Sequence, residues 1–230
     1  MIENIKIDFL RNSYLFSSLT DEELQQICKE IAIEEFKKHE TILHEEDTNE
    51  FMYIILYGKV KVSRINEDGK EIILALHQTN DSFGELSLID GKTTPATVSA
   101  IEDSLIAFIS RKSFYSILLN REKVLEKILY VLCSRLRESW NKIFLLNSKN
   151  AAQKIKMLFL MLSHEYAEKT SNGIIITIKL THQEIADMTG LTRETVTRVI
   201  DKLQKDKEIS ILNNKFIQLS NDFLKKYSDM

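Results

Sequence analysis

The chain has 230 residues, 43% of them hydrophobic and 28% charged, which gives enough apolar surface for a buried core and an ordinary charged surface for more than one small domain. No apolar run approaches the ~18 residues of a membrane helix, the N-terminal stretch "MIENIKIDFLRN" lacks the build of a signal peptide, and two cysteines, Cys28 and Cys133, are too few for a disulfide framework or an iron–sulfur site. These features predict a cytoplasmic protein with no membrane partner. The net charge of −3 is unevenly spread: residues 148–230 hold 13 basic and 10 acidic residues, so that the remainder is the acidic part, and only the C-terminal part is suited to meet a polyanion.

The first predicted element is a helix, "DEELQQICKEI", with Leu24, Ile27, Cys28 and Ile31 on one face. Four of the six glycines (Gly58, Gly69, Gly84, Gly91) then punctuate alternating segments: "FMYIILYGKVKVSRI", "EIILALH" and "ATVSAIEDSLIAFIS". Alternation rich in β-branched residues predicts strands, and "NEDGKE" predicts a hairpin turn. Residues 20–112 therefore read as a compact antiparallel β-roll, in which "FGELSLIDG" is a turn followed by a short polar segment. From about residue 113 the period changes. Leu125, Leu129, Leu132, Leu136, Ser139, Ile143 and Leu146 are spaced alternately by four and three, a heptad seam with one polar position. A long helix with such a seam wants a partner, most simply its own copy in a homodimer.

"NSKN" at 147–150 breaks the pattern and predicts a hinge. A second apolar helix, "AAQKIKMLFLMLSHEYAEK", and a short strand, "GIIITIKL", follow. The segment "LTHQEIADMTGLTRETVTRVIDKLQKD" carries most of the functional information. Thr181 and Glu184 form a capping box, Gly190 ends that helix, and Thr192 caps the next, which runs to about Lys205 with Val196, Ile200 and Leu203 on its buried stripe. Two short helices around a glycine turn make a helix–turn–helix, and "EISILNNKFIQL" adds two short strands, a wing. An Arg can grip guanine O6 and N7 with two hydrogen bonds, and a Glu can accept from cytosine N4. Arg193, Glu194, Thr197 and Arg198 are the candidate base readers, and Thr181, Gln183, Thr192, Thr195 and Lys202 are candidate phosphate contacts of double-stranded DNA. A surface i,i+4 pair between Glu194 and Arg198 is the competing reading of those charges. It leaves the caps, the glycine turn and the wing unexplained.

With "GKVKVSRINEDGKE", "FGELSLIDG…ATVSAIEDS" and above all "TRETVTRVIDKL" in view, the sequence resembles the bacterial transcription regulators typified by the catabolite activator (cyclic-AMP receptor) protein and the fumarate–nitrate-reduction regulator. The resemblance covers nearly the whole chain. It implies an α+β fold with three parts: an effector-sensing, jelly-roll-like cyclic-nucleotide-binding β-roll with its N-terminal helix (1–115), a dimerisation helix and hinge (116–147), and a C-terminal winged helix–turn–helix (148–230). It implies a non-enzymatic DNA-binding regulator, a homodimer on a TGTGA-like palindrome, with RNA polymerase as a further partner. It also implies an effector pocket at Gly84, Glu85, Leu86, Ser87, Thr94, Pro95, Ala96, Arg135 and Ser139.

In cyclic-nucleotide-binding relatives, a Gly-Glu pair holds the ribose and an Arg-Ser-Ala run clamps the phosphate. Gly84 and Glu85 match the first half. In the second half Thr94 stands for Arg and Pro95 for Ser, which removes a charge, a hydroxyl and a backbone N–H. Loss of the Arg alone corresponds to roughly 10–100-fold in affinity. The expectation is therefore an unidentified small-molecule effector other than tightly held cyclic AMP, with no assigned cofactor. Its alternatives are a redox- or haem-sensing regulator of the same family and a constitutive DNA binder. The five histidines show no metal-ligand spacing, and each reads as a surface or satisfied side chain.

Overall fold

The computed structural model describes residues 2–227. The chain divides into two compact units, Met1–Leu136 and Arg137–Met230. The division falls within one long helix, so the two units share a continuous segment of backbone.

The first unit opens with α1 (Ile2–Asn12), which the sequence reading had not predicted, and α2 (Asp21–Glu30). The Thr20 hydroxyl and the Glu23 carboxylate cap α2 reciprocally, and Leu24, Ile27 and Cys28 form its buried face. The chain then continues through β1 (Ile31–Phe36), β2 (Thr41–Leu43), β3 (Phe51–Tyr57), β4 (Lys59–Ile65), β5 (Glu71–Gln78), β6 (Ser82–Phe83), the short helix α3 (Glu85–Asp90), β7 (Thr97–Ala100) and β8 (Ser104–Ser110). The strands form two four-stranded sheets, in the orders β1-β8-β3-β6 and β2-β7-β4-β5, and every pairing is antiparallel. "FGELSLIDG" is not a turn with a polar segment: Glu85–Asp90 is a helix, bounded at both ends by glycines in the left-handed region. The polar residues Glu85 and Ser87 lie on its buried side, which hid its period from a hydrophobicity reading.

β3 explains how the layers meet. Its five central residues are all buried. Tyr53 and Ile55 pack between the two sheets with Leu43, Val60, Phe83, Val98 and Ile106. Met52, Ile54 and Leu56 pack on the opposite side with residues of α1 and α2. The second side is completed by Phe114, which follows the short helical turn α4 (Arg111–Ser113) in a π-helical segment (Phe114–Leu119), and by Val124 and Ile128 of α5 (Glu122–Asn147).

The second unit contains α6 (Ala151–Glu165), β9 (Ala167–Thr170), β10 (Gly173–Ile176), α7 (His182–Thr189), α8 (Arg193–Lys205), β11 (Ile209–Ile211), β12 (Ile217–Ser220) and α9 (Asn221–Tyr227). Asn150 caps α6 through its side-chain oxygen. The helix was expected to reach Lys169 but stops at Glu165. Residues 167–170 instead pair antiparallel with 173–176 in a hairpin, because ladder hydrogen bonds to β10 replace the helical ones. The small sheet runs β11-β12-β10-β9, and the two strands expected around Asn213 and Asn214 are β11 and β12. Among the described residues, no helix is long and apolar enough to cross a membrane.

Candidate nucleic-acid interface and effector cradle

The helix–turn–helix is built from local signals. Thr181 accepts from the Glu184 amide at 3.1 Å, and the Glu184 carboxylate accepts from the Thr181 amide at 2.6 Å, which starts α7. Gly190 ends it at φ 66, a left-handed conformation that costs other residues steric strain, and donates its N–H to the Ala186 carbonyl. Thr192 then caps α8 by accepting from the Thr195 amide at 3.3 Å. Val196, Ile200 and Leu203 are buried, as their spacing predicted, and α8 packs on α6 and α7.

The candidate base readers emerge on the opposite side. Arg193, Glu194, Arg198, Asp201, Lys202, Lys205 and Asp206 are exposed, and together with Thr197 they line an open depression along α8. The i,i+4 pair between Glu194 and Arg198 is not among the ion pairs of the described residues. The Arg198 guanidinium donates instead to Thr195 Oγ1 at 3.3 Å. The charged groups at the start of α8 are thus left to the solvent side.

The threonines have local duties. The Thr181 hydroxyl donates to Glu184 Oε2 at 2.8 Å, and that of Thr192 donates to Thr195 Oγ1 at 3.0 Å. Gln183 donates to Asp187 at 2.8 Å. Thr197 is half-buried, and its hydroxyl donates to the Arg193 carbonyl at 3.0 Å. Its oxygen also lies 2.8 Å from Nδ1 of His182, a contact that joins α7 to α8. Sequence reasoning read His182 as a surface or satisfied histidine, and the contact with Thr197 makes it a satisfied one without the sequence having named its partner. Its place directly after the capping Thr181 was the available signal.

In the first unit, Gly84 turns the chain from β6 into α3 at φ 84. A Cβ there would come within 2.7 Å of the Tyr53 ring and 2.9 Å of the Phe51 carbonyl, so only glycine fits. The turn puts Glu85 inside, 3% exposed, with Ser87 and Ala96 also buried and Leu86 and Pro95 exposed. Arg135 of α5 donates to Glu85 Oε1 and to the Ser82 carbonyl, while Glu85 Oε2 is buried without a hydrogen-bond partner. Thr94, in the position expected for the phosphate-clamping Arg, is 4% exposed. Its hydroxyl and its amide both donate to the Asp47 carbonyl, at 3.0 and 2.9 Å, and its own carbonyl accepts from the Glu46 amide at 2.8 Å. The side chain therefore fastens the loop between β2 and β3. Lys92 is exposed. Ser139 lies one turn beyond Arg135 on α5, exposed and within the second unit. His77 on β5 is pushed down to about 3, first by burial and then by the positive charge of Arg135.

α5 has two apolar faces. Val124 and Ile128 are buried in the first unit, and Leu132 is half-buried against the same core. Leu125, Leu129, Leu136, Ile143 and Leu146 of the seam are 38–58% exposed, and Tyr130, Trp140 and Phe144 are exposed beside them.

Comparison with known proteins agrees with both halves. Residues 33–121 match the cyclic nucleotide-binding domain, and residues 153–227 match the Crp-like helix-turn-helix domain. The chain is 32% identical to a global nitrogen regulator of Synechococcus elongatus over 79% of this chain and 82% of that protein. It is 26% identical to a CRP-like cAMP-activated global transcriptional regulator of Mycobacterium tuberculosis, over 84% of this chain and 86% of that one. In fold it is similar to a CooA mutant from Carboxydothermus hydrogenoformans, with a TM-score of 0.80 and 23% identity, covering 95% of this chain and 97% of that one. With a cyclic-nucleotide-binding β-sandwich, a long helix and a helix–turn–helix in this order, the chain belongs to the cyclic-AMP receptor/fumarate–nitrate-reduction (CRP/FNR) family of DNA-binding transcription regulators.

Proposed function

We propose that the protein acts as a homodimer on a TGTGA-like palindrome, with Arg193, Glu194 and Arg198 reading bases and with RNA polymerase as its further partner. The observation that carries the base-reading assignment is the start of α8, where these three side chains are exposed and unpaired with one another on the face away from Val196, Ile200 and Leu203. Lys202, on the same exposed face, serves as a phosphate contact, together with Thr181, Gln183, Thr192 and Thr195 at the helix starts. The exposed apolar seam of α5 supports the homodimer, since a face of that size is normally covered in solution. In this reading the division of labour is 1–115 for sensing, 116–147 for dimerisation and 148–230 for DNA.

For the effector, the reading favoured by Thr94 is a small molecule other than cyclic AMP. The cradle has Gly84 and Glu85, but a buried Thr bound to the Asp47 carbonyl stands where a cation would meet phosphate. The cAMP-activated relative from M. tuberculosis is thus a guide to architecture more than to ligand. A second reading, DNA binding without any effector, is favoured by Arg135, which already occupies one oxygen of Glu85 from within the chain.

A titration of the pure protein on a TGTGA-N6-TCACA duplex and on a scrambled duplex, at fixed salt, tests the assignment. Preference for the palindrome, relaxed at one base position by Arg198→Ala at a cost of about 1–3 kcal/mol, is the expected result. Unchanged sequence preference in Arg198→Ala would remove that residue from the reading face. Cyclic AMP added to the same titration should leave the affinity essentially unchanged.

A further inference from the structure

Two acceptors lie within reach of the Arg198 guanidinium on its own helix. Long side chains on a helix lean back over the preceding turn, so Glu194 at i−4 and Thr195 at i−3 compete for it. Charge favours Glu194, and the acid stands on the N-terminal side of the base, the better order for such a pair. The structure selects Thr195 instead. Arg198 Nη2 donates to Thr195 Oγ1 at 3.3 Å, and among the described residues no ion pair joins Arg198 to Glu194. The accepting oxygen is itself held in place. It accepts from the Thr192 hydroxyl at 3.0 Å, and the Thr195 amide donates back to Thr192 Oγ1 at 3.3 Å. A β-branched side chain fixed in this way has little rotamer freedom left. Thr195 is half-buried, while Glu194 and Arg198 are exposed.

The two acceptors differ in how much of the guanidinium they take up. A carboxylate accepts two parallel N–H groups and so occupies the fork that guanine O6 and N7 need. A hydroxyl takes one of the five N–H donors and leaves the cation with a fork to spare. It also leaves the Glu194 carboxylate open to accept from cytosine N4.

We propose that Thr195 is a positioning residue for base reading, whose hydroxyl holds Arg198 off Glu194 so that both side chains stay available to the duplex. The inference rests on the base-reading assignment made above. It gives Thr195 a part in sequence preference beside its phosphate contact, which carries none. Without the hydroxyl, Glu194 is the acceptor left to Arg198 on the helix, and the guanine and cytosine contacts weaken together.

The experiment is fluorescence anisotropy of the full-length protein at fixed salt and pH. It uses the palindrome, a scrambled duplex of equal length, and palindromes in which each guanine of the half-site in turn is 7-deazaguanine, which lacks the N7 acceptor. Wild type should prefer the palindrome and lose about 3–10-fold per half-site at the guanine that Arg198 reads. Thr195→Val keeps the shape and removes the acceptor, so it should bind the palindrome more weakly and lose about twofold or less on the 7-deazaguanine duplex. Thr195→Ser keeps the hydroxyl and should restore the wild-type penalty. Thr195→Val with Glu194→Gln removes the competing charge, and the 7-deazaguanine penalty should return. A role confined to phosphate or to the helix cap would not be rescued by Glu194→Gln, so absence of that rescue overturns the proposal. A full wild-type penalty in Thr195→Val overturns it while leaving base reading intact, and a preferred palindrome with no penalty at either guanine overturns it together with the assignment of Arg198 to guanine N7. Equal affinity of the wild type for palindrome and scrambled duplex refutes base reading itself, and the proposal with it. Circular dichroism of each variant separates loss of contact from loss of fold.

Discussion

The guanidinium of Arg135, on α5, donates to the carboxylate of Glu85 at the start of α3 and to the Ser82 carbonyl beside it. Glu85 is 3% exposed, and the Arg135 side chain keeps 24% of its surface. Removing the cation alone leaves a buried carboxylate with no compensation. Arg135→Met should therefore cost about 2–3 kcal/mol of stability, less than a fully enclosed pair would lose. The double variant Arg135→Met, Glu85→Gln should recover most of that loss. Urea unfolding of these two variants and of Glu85→Gln alone measures the coupling; additive losses would mean that the two groups do not depend on one another.

Thr94 and Pro95 set the ligand chemistry of the cradle. Thr94→Arg with Pro95→Ser restores a cation, a hydroxyl and a backbone N–H. Titration calorimetry should show cyclic AMP binding tightened by roughly 10–100-fold over wild type. The same variant gives up the Thr94 hydrogen bond to the Asp47 carbonyl and should be less stable by about 1 kcal/mol. Wild-type protein that already binds cyclic AMP as tightly as the variant would show that the cradle holds phosphate by another arrangement.

Leu129 and Leu136 lie on the exposed seam of α5, at 55% and 51% exposure, and neither belongs to the buried core of the first unit. Replacing both by Glu should convert a dimer to the 26.7 kDa monomer in light scattering while the thermal transition of the β-sandwich is retained. The same substitution should weaken palindrome binding far more than binding to a half-site. A wild type that runs as a monomer at micromolar concentration would remove the seam from the account.

His77 makes stability depend on pH. In the unfolded chain its ring takes up a proton below about pH 6.5. In the folded protein it is held down to about 3 by burial, with Arg135 adding to the effect. The unfolded state thus binds more protons between those values. The contribution of the neutral ring is complete above about pH 6.5 and is lost as pH falls, at up to ~1.4 kcal/mol per unit. The urea midpoint of the wild type should drop more between pH 7.5 and pH 5 than that of His77→Gln. Parallel pH profiles for the two proteins would show that the ring protonates without unfolding.

The parts of the fold that were legible in the sequence are those fixed by local rules. Thr181, Glu184, Gly190 and Thr192 sit at helix boundaries, where a hydroxyl, a carboxylate or a left-handed residue serves its own neighbours, and all four do what their spacing indicated. Val196, Ile200 and Leu203 are buried because a helical period places them on one face. The helix at Glu85–Asp90 was not legible, because Glu85 and Ser87 turn polar atoms inward and erase the apolar period. Nor was the strand at Ala167–Thr170: it continues a helical composition, and only its ladder to Gly173–Ile176 makes it a strand.

What the sequence determined by itself is the family, the order of its two matched domains, and the caps and buried stripe of α7 and α8, the last of which rest on contacts between residues a few positions apart. Only the tertiary structure decided that Arg135 closes on Glu85, 50 residues away, that Thr94 is fastened to Asp47, and that His182 is tied to Thr197 across the turn. Those pairings depend on which surfaces the packed core brings within hydrogen-bonding distance, and hydrophobic patterning records which side chains are buried without recording which polar groups are buried beside one another.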